Sequence, residues 1–293
     1  MLRRACEADL PAVRAFLASR LTTSMFLSSN LRDQGLSTGY SGHPGDHGKS
    51  MTLWLSEALG EITNVIGYAA AGYVVFEAPT LTPAQYPMIR AALSGRHLLG
   101  LNGAEDQVAH LMAALDLPCH EAVMDEAEPH YRLLLSDLRL PGGPGQLRAA
   151  TGDDLGLLTE WRMASEIEIL GARDSAENRD RAAESLQELL AADRLRVLER
   201  DGVSVAMTNF NAALPAIVQV GGVYTPPQLR GQGYARQAVA LHLAEARETG
   251  ITEAILFAAN PAAARAYEAI GFARIGSYRI VNFDPAIRIG GPS

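Results

Sequence analysis

The chain has 293 residues, 48% of them apolar, with 33 acidic against 25 basic side chains and a formal charge of −8. At about 150 residues per domain it has the length of two domains, each large enough to bury its own core. An acidic chain whose lone lysine is Lys49 excludes a broad cationic surface for nucleic acid, and no apolar run reaches the roughly 20 residues that span a bilayer.

The N-terminus, Met1-Leu2-Arg3-Arg4-Ala5-Cys6-Glu7, turns acidic before the apolar core of a signal peptide can form. Cys6 and Cys119 make neither a disulfide framework nor a metal-ligand spacing, so a reduced, cytoplasmic protein is expected. A short apolar strand then leads into an acidic cap and a helix with Leu10, Val13, Phe16 and Leu17 at helical spacing. His43, Asp46 and His47 sit in a polar, glycine-rich stretch with no third well-spaced ligand, and no metal is expected there. Strands follow near 51–57, 62–68 and 71–77, then a helix near 83–94, a strand at 97–101, a helix at 104–115 and strands near 119–124 and 130–136.

Pro141-Gly142-Gly143-Pro144-Gly145 breaks both helix and sheet and reads as a linker over 141–145, between a domain at 1–140 and one at 146–293. Just beyond it, Leu147 to Leu155 repeats Leu2 to Leu10 at an offset of 145, with Leu, Arg, Ala, Asp and Leu in register. Both copies open their half of the chain, which indicates an internal duplication. The second half continues as helices over 153–171 and 176–192, strands at 195–200, 204–211 and 216–225, a helix at 233–249, a strand at 253–259, a helix at 261–270 and a strand at 273–283. The expected class is α/β, of the α+β kind, with a central mixed sheet flanked by helices in each half.

The chemistry concentrates in Gln219 to Arg236. An apolar strand runs into Pro226-Pro227, then into Gln228-Leu229-Arg230-Gly231-Gln232-Gly233, a glycine-spaced turn that opens an alanine-rich helix. Such a turn points free backbone N–H groups outward at a helix N-terminus, where an anion is stabilised. The dinucleotide fingerprint fails because its third glycine position is Arg236, and the triphosphate loop fails because no Gly-Lys-Ser/Thr follows. Gly221-Gly222 within the strand reads either as a bulge where the strand parts from 253–259 or as a packing concession. Further on, Asn260 suits a helix N-cap, Pro261 the first helical position and Gly271 the helix end.

These two segments resemble the GNAT superfamily of acyl-CoA-dependent N-acyltransferases. Gln228, Gly231 and Gly233 match its Gln/Arg-x-x-Gly-x-Gly/Ala loop, and Asn260, Ala263, Tyr267, Gly271 and Phe272 match its downstream Asn-to-Gly-Phe motif. The resemblance covers roughly 146–283 and is faint over 1–140. It implies two GNAT-like domains in tandem, with acetyl-CoA as donor and no metal. Backbone amides of Arg230, Gly231, Gln232, Gly233, Tyr234 and Ala235 would hold the pyrophosphate, with the Arg230 side chain as a further contact. Val223 and Thr225 would pair with the pantetheine arm, Asn260 would contact the cofactor, and Tyr267 would protonate the departing thiolate.

The family's strand carboxylate is absent, because no position from Gly202 to Leu243 is Asp or Glu, and Gln219 cannot abstract a proton. Glu168, then Glu166, on the early helical region are the carboxylate candidates for the base; a chain of waters or an amine arriving neutral serves equally. The implied activity is transfer of acetyl to a primary amine of a small molecule or peptide, without nucleic acid or membrane. The alternatives are transfer of another acyl or aminoacyl group, or a non-catalytic acyl-CoA sensor. In the first half the offset of 145 sets Gln85-Tyr86-Pro87-Met88 opposite the glycine turn, and aligning Leu115-Asp116-Leu117 with Ile270-Gly271-Phe272 sets Met112 opposite Tyr267. That half is expected to keep the fold without the chemistry.

Overall fold

A computed structural model of the chain describes residues 2–37, 48 and 50–290; His43, Asp46 and His47 lie outside the described residues. The elements run β1 (Leu2–Arg4), α1 (Leu10–Ala18), α2 (Leu21–Gln34), β2 (Met51–Ala58), β3 (Glu61–Ala69), β4 (Tyr73–Glu77), α3 (Tyr86–Leu93), β5 (His97–Ala104), α4 (Glu105–Leu115) and β6 (Met124–Leu134). They continue with β7 (Gln146–Ala149), α5 (Leu155–Leu170), α6 (Ala176–Ala191), β8 (Leu195–Arg200), β9 (Val203–Ala213), β10 (Ile217–Tyr224), α7 (Tyr234–Glu248), β11 (Glu253–Phe257), α8 (Pro261–Glu268) and β12 (Ala273–Arg288). The second series repeats the order of the first. Two details depart from the sequence reading. The strands expected near 119–124 and 130–136 are one strand, β6, which passes through Pro129 because proline's fixed φ suits extended backbone. The polar, β-branched start of α2 hid that helix, which bends at Ser24.

The chain forms two compact units that do not coincide with its sequence halves. The first runs to Ala127 and takes in the chain again from Ser277, and the second is Glu128–Gly276, so the breaker stretch at 141–145 lies inside it. In the first unit β1, β2, β3 and β4 pair antiparallel, β4 and β5 pair parallel, and β5 pairs antiparallel with β12 from Tyr278 to Arg288. In the second, β7, β8, β9 and β10 are antiparallel, β10 and β11 parallel, and β11 pairs antiparallel with residues 130–134 of β6. Each sheet is thus completed by the closing strand of the other repeat. Periodicity marks a strand and its buried face but does not name its neighbour, which is why the exchange is invisible in the sequence.

Each sheet is covered on both faces. Trp54, Phe76, Leu101, Leu111 and Phe283 form one core of the first unit, and Leu10, Val13, Leu31, Leu53 and Val65 the other. In the second unit Val218, Val220, Val239, Leu243 and Leu256 pack on the α7 side, and Leu158, Trp161, Leu186, Met207 and Tyr224 on the α5 and α6 side.

The repeat survives as paired hydrogen bonds. Arg3 donates from both terminal nitrogens to Asp9 at 2.8 and 2.7 Å, and Arg148 does the same to Asp154 at 2.7 and 2.8 Å. The same carboxylates accept the backbone N–H of Cys6 at 2.8 Å and of Thr151 at 2.7 Å, fixing the turn into the following helix in both copies. The arginines also reach Glu57 and Glu199 respectively, each two residues beyond the arginine's cross-strand partner.

Candidate active site

In the second unit β10 and β11 are in register only from Ile217↔Glu253 to Gln219↔Ile255. Past Gln219 the strands part, and β10 makes two register shifts against β9, between Gln219 and Val220 and between Gly221 and Tyr224. Gly222 has φ +55°, a left-handed conformation that favours glycine. A Cβ there would overlap Asn209 Oδ1, and one at Gly221 would overlap the Asn211 amide. Bulge and packing concession therefore coincide at Gly221-Gly222. Val223 lies within the second register shift, half-buried on the free stretch of β10.

Thr225 and Pro226 lead to a 3-10 turn, Pro227–Leu229, and four residues later to α7. Gly231 and Gly233 have φ of +79° and +80°, so the turn needs glycine at both positions. Among the described residues the backbone N–H groups from Gly231 to Arg236 have no backbone partner, while Arg230 N–H and Gln237 N–H are satisfied by Pro227 and Gly233. A Cβ at Gly231 would meet nothing within 4 Å, so space above the amides is open. The ring of Tyr234 is buried and its hydroxyl is shared between Arg200 Nη1 at 2.7 Å and Gln232 Oε1 at 3.0 Å, which pins the first turn of α7.

The Arg230 side chain folds back instead of projecting over the amides. Its Nε donates to the Thr225 carbonyl at 3.0 Å and its two terminal nitrogens to Glu168 at 2.8 and 2.6 Å. This fork, with burial working against it, holds the Glu168 carboxyl below its usual range. Glu166 is likewise bonded to Arg162 Nε at 2.6 Å. Both candidate bases are ion-paired, and the lowered pKa of Glu168 makes it a weaker base.

Asn260 caps α8, its side-chain oxygen accepting the Ala263 N–H at 2.9 Å, with Pro261 next in line. Tyr267 is buried on α8 with its ring edge-on to Phe272 at 6.0 Å. Burial, reinforced by the negative charge of Glu128, pushes the Tyr267 phenol well above its usual value. Its hydroxyl has no hydrogen-bond partner among the described residues. The bond from Phe272 N–H to the Tyr267 carbonyl is matched by that from Leu117 N–H to Met112, both at 3.2 Å, so Met112 does stand where Tyr267 stands.

The sequence reading did not single out Asn209 or Thr208, fully buried polar residues on β9, or His242 on α7, whose ring stacks on Phe210 at 3.7 Å and whose pKa burial lowers to about 3. Thr208, Asn209 and Asn211, clustered in a strand whose other residues are mostly apolar, were the signal available.

A mixed sheet whose central parallel pair splays beside a glycine-spaced turn and a helix N-terminus can hold a ligand that carries both an anionic group and amides. Residues 158–272 match the acetyltransferase (GNAT) family. A stretch of 55 residues, 19% of this chain, is 42% identical to an acetyltransferase of Agrobacterium fabrum and takes in 40% of that protein's length. Two solved structures share the fold over nearly the whole chain. A GCN5-related N-acetyltransferase from Kribbella flavida is 18% identical with a TM-score of 0.57, over 91% of this chain and 95% of that one. A tandem GNAT protein from the clavulanic acid biosynthesis pathway is 14% identical with a TM-score of 0.56, over 100% of both. No helix among the described residues is long and apolar enough to cross a membrane.

Proposed function

We propose that the protein transfers an acetyl group from acetyl-CoA to a primary amine of a small molecule or peptide, at the free stretch of β10 in the second unit. The observation that carries this reading is the run of unpartnered amides from Gly231 to Arg236 beside a splayed strand. N–H donors at the positive end of a helix suit a pyrophosphate, and the open space above Gly231 leaves it room. In this reading the amides of Gly231, Gln232, Gly233, Tyr234 and Ala235 hold the pyrophosphate, Arg230 being engaged by Pro227, Thr225 and Glu168. Val223 and Thr225 receive the amide-bearing arm as a strand edge does, and Asn260 and Tyr267 flank its reactive end.

Bound acetyl-CoA supplies an activated thioester. Tyr267 keeps its proton across neutral pH and holds it at a hydroxyl free of other partners, ready for the departing sulfur. We reassign Glu168 from the expected base to a positioning residue that sets the Arg230 side chain, because the ion pair lowers its basicity.

Two measurements on the full chain test the reading. Calorimetric titration with coenzyme A is expected to weaken at least tenfold in Gly231→Asp, which sets a carboxylate against the phosphates; unchanged affinity removes the loop assignment. Product formation from acetyl-CoA with a panel of primary amines tests transfer. Tight cofactor binding with no product from any amine would leave a sensor.

A further inference from the structure

The apex where β10 and β11 part carries a polar residue the reaction scheme above leaves without a task. Gln219 belongs to the last parallel pair and is 2% exposed. Its Nε2 donates to the Val220 carbonyl at 2.8 Å, which fixes the amide orientation, since only the nitrogen can donate to a carbonyl. Its Oε1 is buried and has no partner among the described residues. Leaving such an acceptor unmade is costly, and each case in a folded protein calls for a reason.

One strand neighbour repeats the pattern. Val218 and Val220 pack on the α7 side, so alternation turns Gln219 and Gly221 to the opposite face. Asn209, opposite Gly221 and fully buried, donates its Nδ2 to Asn211 Oδ1 at 2.7 Å and leaves Oδ1 unpartnered above Gly222. The apex thus presents buried amide oxygens, and the carboxylates around it are already engaged: Glu166 and Glu168 are bonded to Arg162 and Arg230, Glu128, whose charge acts on Tyr267, has an interaction of its own, and residues 202–243 contain no Asp or Glu.

This chemistry discriminates among amines. An ammonium ion brought to a buried site without a counter-charge is strongly disfavoured, whereas a neutral amine loses little and satisfies an amide oxygen with its N–H. We propose that Gln219 Oε1, supported by Asn209, is the seat of the acceptor amine, and that the site selects amines neutral at working pH, of the aryl-amine or hydrazide class, over alkylamines of the lysine or polyamine type. The proposal rests on the acetyl-transfer reading. It removes the need for a separate general base, because the nitrogen lone pair is free on arrival; the C–N bond forms, the C–S bond breaks as the sulfur takes up the proton held by Tyr267, and the proton shed by the acylated nitrogen restores the Tyr267 phenol.

The test is kcat/KM on the full-length protein for primary amines of graded basicity, with coenzyme A affinity measured on every variant as a control for folding. At pH 7 the wild type is expected to favour an aryl amine over a propylamine-type substrate by at least about 100-fold, and kcat/KM for the alkylamine is expected to rise with pH in step with its own deprotonation. Gln219→Glu supplies a counter-charge and should narrow that preference at least tenfold, while Gln219→Leu should weaken the aryl amine without narrowing it. Calorimetry of the aryl amine without cofactor should give a heat independent of the buffer's ionisation enthalpy, since no proton is released. Alkylamines used as well as aryl amines by the wild type, or a preference untouched in Gln219→Glu with cofactor affinity intact, overturns the proposal alone. No product from any amine overturns the acetyl-transfer reading and the proposal with it.

Discussion

In the first unit the 3-10 turn Pro83–Gln85 passes directly into α3 at Tyr86, whereas in the second unit Arg230, Gly231, Gln232 and Gly233 intervene between Pro227–Leu229 and α7. In the first unit Gln85 caps its own turn through the Thr82 N–H at 3.0 Å, and Pro87 removes a donor from the helix start. The strand gap differs in the same sense. Past the last parallel pair, Val75↔Asn102, Glu77 accepts from Thr23 at 2.6 Å and Gln107 at 3.2 Å, and Gln107 Oε1 takes the Ala78 N–H at 2.6 Å. Phe76 lies against Gly103. One copy spends its polar groups on itself and the other leaves them unspent. In the proposed reading, the binding site is the same framework with its internal hydrogen bonds withheld.

The sharpest way to break that comparison is to remove the group that distinguishes α8 from α4. Tyr267→Phe is expected to lower kcat by about 10²–10⁴-fold while calorimetric affinity for coenzyme A stays within about twofold. Met112→Leu, at the matching position, should leave both within the same margin. A Tyr267→Phe enzyme with undiminished kcat would remove the phenol from the mechanism; loss at Met112→Leu would give the first unit a part in the chemistry.

Much of this contrast is legible in the amino-acid sequence. The breaks at Gly231, Gly233, Asn260 and Gly271 announce themselves because turns and caps are local, and a few residues settle them. The repeat at offset 145 is equally plain, and the Arg3–Asp9 and Arg148–Asp154 pairs give it a physical reason: each links a strand to the turn that follows it. What the sequence hides is long-range. That β12 completes the first unit and β6 the second depends on strand choice, which alternation leaves open. That Arg230 turns away from the amide run to Glu168, 62 residues earlier, depends on how α5 packs. The insertion of Arg230 to Gly233 is also masked, since a constant offset sets those residues opposite Gln85 to Met88 when the turn and helix starts align them with a gap.

Acid should separate the units by a smaller but general effect. Burial lowers His130 to about 4 and His242 to about 3, both in the second unit. A histidine whose folded pKa is depressed contributes its full stability above the unfolded value, near 6.5, and loses it as pH falls toward the folded one. At pH 5 the loss is about 2 kcal/mol per histidine. Glu77 in the first unit is shifted the other way by burial, so protonation there favours the folded state. Hydrogen exchange at pH 5 is therefore expected to accelerate first in α7 and β9 of the second unit. His242→Phe, which keeps the stack on Phe210, should flatten the acid limb between about pH 6.5 and 4. Acceleration beginning in β2 and β3 would assign the acid-labile groups to the wrong unit.

The smallest expected difference lies in the feature the two copies share most closely. Asp154 is held at a pKa of about 2, chiefly by the Arg148 fork and then by the Thr151 N–H, against 3.8 in an unfolded chain. Its contribution is present above pH 3.8 and is lost as pH falls through about 2. The difference in pKa is worth about 2 kcal/mol at most, and screening of the partly exposed Arg148 brings it nearer about 1 kcal/mol. Asp9 is shifted in the same direction by Arg3 and the Cys6 N–H, but Arg3 is more exposed than Arg148, so its pair should be worth less. Denaturant midpoints at pH 7 are expected to drop more for Asp154→Asn than for Asp9→Asn. If the order reversed, the two ion pairs would be alike in geometry and unlike in what they hold: the first would be locking its strand to the turn against a competing arrangement that the second half of the chain does not have.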